Sequence, residues 1–153
     1  MKEDTFDDFV KKLQEEIIEK ERELYNDYII ELFHNPKNWG KPADNKISVS
    51  QTYKGPCGDT MEFFLTINDG IIEKANFITD GCGASVATAC QTTLLIEGKS
   101  LEYAEKLTPN DIDDALKGLP EDHKHCAELS VRTLKRAIKS YQNNSIIKKD
   151  NAI

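Results

Sequence analysis

The stretch Asp80-Gly81-Cys82-Gly83-Ala84-Ser85-Val86-Ala87-Thr88-Ala89-Cys90 constrains the fold more than any other part of the chain. Before it the residues read as strand, and after it a run of small residues suits a closely packed, buried helix. Gly81 and Gly83 flank Cys82, so the backbone there can take tight or positive-φ geometry and lie close to a bulky ligand. A cysteine at a helix start sits in the positive end of the dipole, which lowers its pKa and favours the thiolate that binds metal or sulfur. The rest of the chain is expected to bring further ligands to Cys82.

The 153 residues suffice for one domain with a real core and no disulfide staples. A formal charge of −7 argues against nucleic acid or an anionic membrane as the main partner. No apolar stretch approaches the roughly 20 residues of a membrane span. The acidic start, Met-Lys-Glu-Asp-Thr-Phe-Asp-Asp, lacks the apolar core of a signal peptide, so a cytoplasmic location is expected. The cysteines at 57, 82, 90 and 126 are then reduced, and none forms a Cys-x-x-Cys pair. Any metal site must be assembled by the fold from distant segments.

Phe6, Val10, Leu13 and Ile17 fall at helical spacing, and Leu24, Tyr28, Ile29, Leu32 and Phe33 resume it. Between them Glu19-Lys20-Glu21-Arg22-Glu23 has no apolar anchor, which predicts either one long helix or a hinge near 19–23. The first apolar stripe needs a cover: its own domain, a second copy in a homodimer, or another protein. Asn35-Pro36 and Gly40-Lys41-Pro42 break the helix, with Trp39 anchoring the loop to the core. Three strands follow at 47–53, 60–67 and 71–79, the last two joined by an Asn68-Asp69-Gly70 hairpin turn. In such an antiparallel meander the 55–59 loop and the end of the third strand share one edge, which brings Cys82 to Cys57. A helix then runs from Gly83 to about Glu97 and ends at Gly98. Ser100 and Thr108-Pro109 open two short helices, and a final helix spans Glu121 to about Tyr141. The fold class expected is α+β: a small three-stranded antiparallel sheet packed against several helices, with an extended N-terminal helix.

Cys57-Gly58-Asp59 puts a thiol and a carboxylate two residues apart, and in an extended segment both face one way. Taken alone, a turn in which Asp59 bonds its neighbours explains it as well. His123-Lys124-His125-Cys126 is the densest ligand cluster. His125 and Cys126 lie about 100° apart on a helix, so both can border one cavity. His123 fits a solvent-facing helical turn better than His125 does, and His34 reads as a surface residue. Cys90 is about 12 Å beyond Cys82 along a helix, too far to share a cluster, and reads as packing. Together the segments offer three thiolates, one carboxylate and one imidazole, a soft set suited to iron–sulfur clusters or zinc. The carboxylate is the hard, exchangeable member, which suits a site that releases its cargo.

Gly55-Pro56-Cys57-Gly58-Asp59, Asp80 through Ala87 and His125-Cys126-Ala127-Glu128-Leu129 resemble, in order and spacing, the three cysteine motifs of the IscU/NifU-type iron–sulfur cluster assembly scaffolds. Tyr28 to Gly40 looks like that family's N-terminal helix and turn. The resemblance implies a scaffold, not an enzyme, on which iron and sulfur from a cysteine desulfurase become a 2Fe-2S cluster for recipient apo-proteins. An electron donor such as ferredoxin is implied as a further partner. By motif position Cys57, Asp59, Cys82 and Cys126 would ligate iron or cluster, His125 would be an alternative metal ligand, and Cys126 the sulfur acceptor. Zinc is an alternative occupant of the same residues. The division implied is a helical extension over 1–24, the scaffold domain over 25–143 and a flexible tail over 144–153.

Three departures from that family stand out. Leu119-Pro120-Glu121-Asp122-His123 replaces the Leu-Pro-Pro-Val-Lys of members served by a dedicated chaperone, which argues against such recognition. His123 stands where lysine is usual, so the local charge that assists sulfur transfer depends on histidine protonation. The segment before Leu24 extends beyond the usual start. A related zinc-dependent sulfur-transfer branch, the SufU type, carries an insertion between the second and third cysteines. The short 83–125 interval resembles the scaffold branch more closely. A closed structural zinc site is the remaining alternative, and the aspartate beside Cys57 speaks against it.

Overall fold

The computed structural model describes the backbone of residues 3–151 and the side chains of residues 5–144. In chain order the elements are α1 (Glu3–Leu24), α2 (Asp27–His34), β1 (Val49–Lys54), β2 (Thr60–Asn68) and β3 (Ile71–Thr79). They continue with α3 (Gly83–Ile96), α4 (Leu101–Glu105), α5 (Pro109–Ala115) and α6 (His125–Asn151). The sheet is the expected meander, order β1-β2-β3, both pairs antiparallel. Asp69 and Gly70 both adopt positive φ in the β2–β3 turn, the conformation an Asp-Gly hairpin supplies.

Met61, Phe63, Leu65 and Ile67 alternate onto the face of β2 that joins the core. Helix α6 lies against β1 and β2, and α3 against β3, α2 and α6. Ten residues of α3 are buried, so this helix is enclosed rather than amphipathic. Its threonine hydroxyls are satisfied within the helix or by α6. Thr88 donates to the Ala84 carbonyl at 2.6 Å, Thr93 to that of Cys90 at 2.7 Å, and Thr92 pairs with Ser130 of α6 at 2.6 Å. Cys90 is buried among them with its thiol toward the Lys37 carbonyl at 3.4 Å, as a packing residue should be.

Ser100 and Thr108 cap α4 and α5 as expected, the latter with a full capping box to Asp111. Elsewhere the structure departs from the pattern. The break in the N-terminal helices falls at Tyr25-Asn26, not at 19–23, because Asn26 caps α2 by accepting from the Ile29 N–H at 2.9 Å. A charged run without apolar anchors is no obstacle to an exposed helix, whereas a capping asparagine is a start signal. Trp39 is 47% exposed, not buried in the core. It stands edge-on against Phe77 with ring centroids 5.2 Å apart, while its loop pairs with the backbone of β3. The final helix begins after a 3₁₀ turn at Glu121–His123 and runs on past Tyr141 to Asn151. The side chains of the tail from 145 onward lie outside the described residues.

Helix α1 keeps Phe6, Phe9, Leu13 and Ile17 exposed, so its stripe is not covered by the described residues. No helix among the described residues is long and apolar enough to cross a membrane.

Candidate functional site

Three structural corners converge at one end of the sheet. The β1–β2 loop turns at Gly58, at positive φ, with the Gly55 N–H donating to the Asp59 carbonyl at 2.9 Å; this presents Cys57 and Asp59. Cys82 is the residue at the start of α3, in extended conformation, and Cys126 lies in the first turn of α6. The antiparallel meander returns β3 to the loop between β1 and β2, so the convergence follows from topology.

The ligand atoms fall into two adjoining sets among the described residues. Cys57, Asp59 and His125 form one, and Cys82, His123 and Cys126 the other; within each set the atoms lie within 4.8 Å of one another. Cys57 and Cys82 therefore share a corner of the fold but not a set. Ser85 joins the two. Its hydroxyl donates to Asp59 Oδ2 at 3.2 Å and lies 3.5 Å from Cys126 Sγ and 3.9 Å from Cys82 Sγ. Cys126 Sγ is also 3.8 Å from His125 Nε2, a second link between the sets. Cys57 and Cys82 are exposed, whereas Cys126 is buried. Beside Cys57, a cavity of about 220 Å³ opens between Tyr53, Cys57, His125 and Arg132, and the Arg132 neighbour Leu129 closes its floor under Gly55.

Cys82 and Cys126 divide one proton between them. The Cys126 thiol donates to the Cys82 sulfur, and the backbone N–H groups of Ser85 and Ala84 at the start of α3 favour the anion further. These hold the Cys82 pKa down at about 4 from an ordinary 9.0, against the opposing effect of burial. Cys126 is pushed in the opposite direction by that same hydrogen bond to Cys82 and by burial. Cys90, by contrast, is raised mainly by burial. In metal-free protein, iodoacetamide labelling of Cys82 should therefore hold nearly constant from pH 8 to pH 6. An ordinary thiol loses about 100-fold over that range. Peptide mass spectrometry resolves the sites, and a Cys82 rate that falls as an ordinary thiol's does would contradict the shared-proton arrangement.

The pattern reading named Cys57, Asp59, Cys82, His125 and Cys126, and all five line this corner. It placed His123 in solvent, and there the structure differs. His123 Nδ1 lies 4.0 Å from Cys82 Sγ, and its Nε2 lies 3.1 Å from the Tyr25 hydroxyl. The available signal was the i, i+3 spacing of His123 and Cys126, which a helical turn brings to one side. Ser85 and Tyr25 were not singled out either. Ser85 sits three residues after Cys82, one turn into the helix, where a side chain returns to the helix start. Tyr25 carries no local signal, since its approach depends on how α2 docks. Burial raises its pKa from 10.0, helped by the nearby Cys82 and Cys126 sulfurs.

The chain is similar to known proteins in sequence and in fold. An iron–sulfur cluster assembly scaffold protein IscU of Aquifex aeolicus is 39% identical over 119 residues, covering 76% of this chain and 75% of that protein. The protein of that name in Escherichia coli K12 is 36% identical over 122 residues, covering 78% and 94%. The crystal structure of a nitrogen-fixing NifU-like protein (N-terminal) from Brucella abortus superposes with a TM-score of 0.60 at 17% identity. It covers 78% of this chain and 95% of that one, a likeness of fold. The NifU-like N terminal domain family matches residues 24–148, which leaves most of α1 outside it. On the matched span, the relatives and the converging cysteine motifs together, this chain belongs to the NifU-like N-terminal domain family.

Proposed function

We propose that this protein is a scaffold on which iron and sulfur are assembled into a 2Fe-2S cluster and passed to apo-proteins. The observation that carries the reading is the pair of adjoining ligand sets, which together offer three thiolates, a carboxylate and imidazoles at an open corner. A 2Fe-2S cluster takes four protein ligands and prefers thiolates. With only three thiolates in reach, the fourth position falls to Asp59 or His125, and a hard carboxylate holds a thiolate-bound iron weakly. The cluster is thus cargo rather than a resident group, and the protein acts without turnover of its own.

Sulfur would come from a cysteine desulfurase as a persulfide, whose outer sulfur passes to Cys126 while the donor cysteine leaves as thiolate. Cys126 would lose the proton it shares with Cys82, and His125 Nε2, 3.8 Å away, would accept it. Each sulfur then needs two electrons to leave as sulfide, which calls for a one-electron donor protein such as a ferredoxin. The bounds of the proposed unit are residues 25–143, with 1–24 an added helix and 144–153 a tail, and its proposed place of work is the cytoplasm.

Anaerobic reconstitution with iron and sulfide, or with iron, cysteine and a desulfurase, should give the visible charge-transfer absorption of a 2Fe-2S centre. Protein that keeps one tight zinc and refuses a cluster under these conditions would favour zinc-gated sulfur transfer instead. Asp59→Ala should slow transfer to an apo-ferredoxin by removing the exchangeable ligand. Unchanged transfer kinetics in that variant would remove the carboxylate from the release step.

A further inference from the structure

We infer that Cys82, His123 and Cys126 form a self-contained site for one divalent ion of the zinc or ferrous class. His123 is a true ligand in it and Tyr25 the residue that orients it. The inference goes beyond the scaffold reading and does not depend on it, because its ligand is a metal ion alone.

Geometry is the first support. Tetrahedral coordination with Zn–S near 2.3 Å and Zn–N near 2.0 Å separates sulfur from nitrogen by about 3.6 Å and sulfur from sulfur by about 3.8 Å. His123 Nδ1 already stands 4.0 Å from Cys82 Sγ, and all three ligand atoms lie within 4.8 Å of one another. A contraction of at most about 1.2 Å in any pair completes three corners of the tetrahedron. Two thiolates and a neutral imidazole are the donor set that zinc-class ions favour. The fourth corner is left for an exchangeable ligand.

The second support is independent and concerns the far side of the ring. A metal-bound histidine almost always gives its other ring N–H to a fixed acceptor, which sets the tautomer and the ring plane. His123 Nε2 has such a partner in the Tyr25 hydroxyl at 3.1 Å, with the two rings 5.5 Å apart. With the proton on Nε2 donated to Tyr25, the Nδ1 lone pair faces Cys82. Tyr25 is itself held, edge-on to Phe33 at 5.7 Å, and its neighbour Asn26 donates to the Leu116 carbonyl at 2.9 Å. A histidine that merely faced solvent would need none of this. The other set is made of different residues, Cys57 and Asp59 on the β1–β2 loop and His125 beside Cys126 at the start of α6, so the two are separable by mutation.

The test uses the full chain, metal-free and anaerobic, titrated with Co²⁺, in a background of Cys57→Ser, Asp59→Ala and His125→Ala that removes the other set. Far-ultraviolet circular dichroism and Trp39 emission check that each variant is folded. One equivalent of cobalt should bind with thiolate-to-metal charge transfer and the intense visible bands of tetrahedral cobalt. Adding His123→Ala should weaken binding at least 10-fold to 100-fold and collapse the tetrahedral bands. Tyr25→Phe should weaken binding less while keeping the tetrahedral spectrum, the signature of an orienting residue. Unchanged affinity and spectrum on His123→Ala would overturn the assignment. Wild-type protein that takes a 2Fe-2S cluster alongside that result leaves the scaffold reading standing. The expected cobalt behaviour in a protein that refuses a cluster sinks only the scaffold reading.

Discussion

Gly81→Ala is expected to destabilise the protein by about 1–3 kcal/mol and to weaken metal binding at both ligand sets, although residue 81 is not itself a ligand. A Cβ at this position would stand 2.6 Å from both Cβ and Oγ of Ser85 and 3.1 Å from Asp59 Oδ2. Ser85 Cβ is fixed to the first turn of the buried helix α3, so it cannot rotate away as the end of a long side chain would. The turn must move, and with it the hydroxyl that touches Asp59, Cys82 and Cys126. Gly83→Ala makes a useful contrast. Its Cβ would meet the Phe33 ring at 3.1 Å, and that ring is only half-buried and can yield. Urea unfolding should rank Gly81→Ala as the more damaging, and cobalt titration should show loss at both sets. A Gly81→Ala protein within about 0.5 kcal/mol of wild type, with unchanged cobalt affinity, would mean that Ser85 is not the wedge described.

Phe77→Ala should have the larger effect on stability, a loss of about 3–5 kcal/mol. Phe77 is fully buried, lies opposite Phe63 in the β2–β3 register, and carries the edge-on contact with Trp39. Its backbone also accepts the Gly40 N–H and donates to the Asn38 carbonyl, so it is one of the residues that hold the loop after α2. Removing the ring leaves a cavity between the sheet and α3 and releases the cover over it. Trp39, the only tryptophan, reports both in one denaturation series. Trp39→Phe keeps most of the contact at a half-exposed position and should cost far less. A Phe77→Ala protein with unfolding midpoint and Trp39 emission like wild type would remove this residue from the core.

The sheet and the order of helices were legible because each element carries its own period and its own punctuation. Asp69-Gly70 encodes the hairpin, and Ser100, Thr108 and Pro109 mark helix starts through local hydrogen bonds that need no tertiary context. The corner that gathers Cys57 and Cys82 was also legible, since an antiparallel meander leaves no other place for the third strand to end. The split into two ligand sets was not. It depends on a 3₁₀ turn at Glu121–His123, which aims His123 toward Cys82 while the start of α6 turns His125 toward Cys57. Such a change of helical pitch leaves no periodic trace over three residues. The hinge was misplaced for a different reason. The absence of apolar residues over 19–23 describes what that stretch does not bury, whereas the capping bond of Asn26 decides where the next helix begins.

The corner at Tyr25-Asn26 has a mechanical side. At about 1.5 Å per residue, α1 is an arm about 33 Å long, and the residue at its pivot is the one bonded to His123. The arm meets α2 through a solvent-facing ion pair, Arg22 with Asp27 at 3.3 Å, and a hydrogen bond between Glu21 and His34 at 2.7 Å; salt and a competing partner can easily unseat the first. A rotation of about 5° at that corner would carry the far end of the arm by about 3 Å. A cover laid over the exposed apolar stripe would thus hold the far end of an arm whose near end touches the Cys82 side of the site.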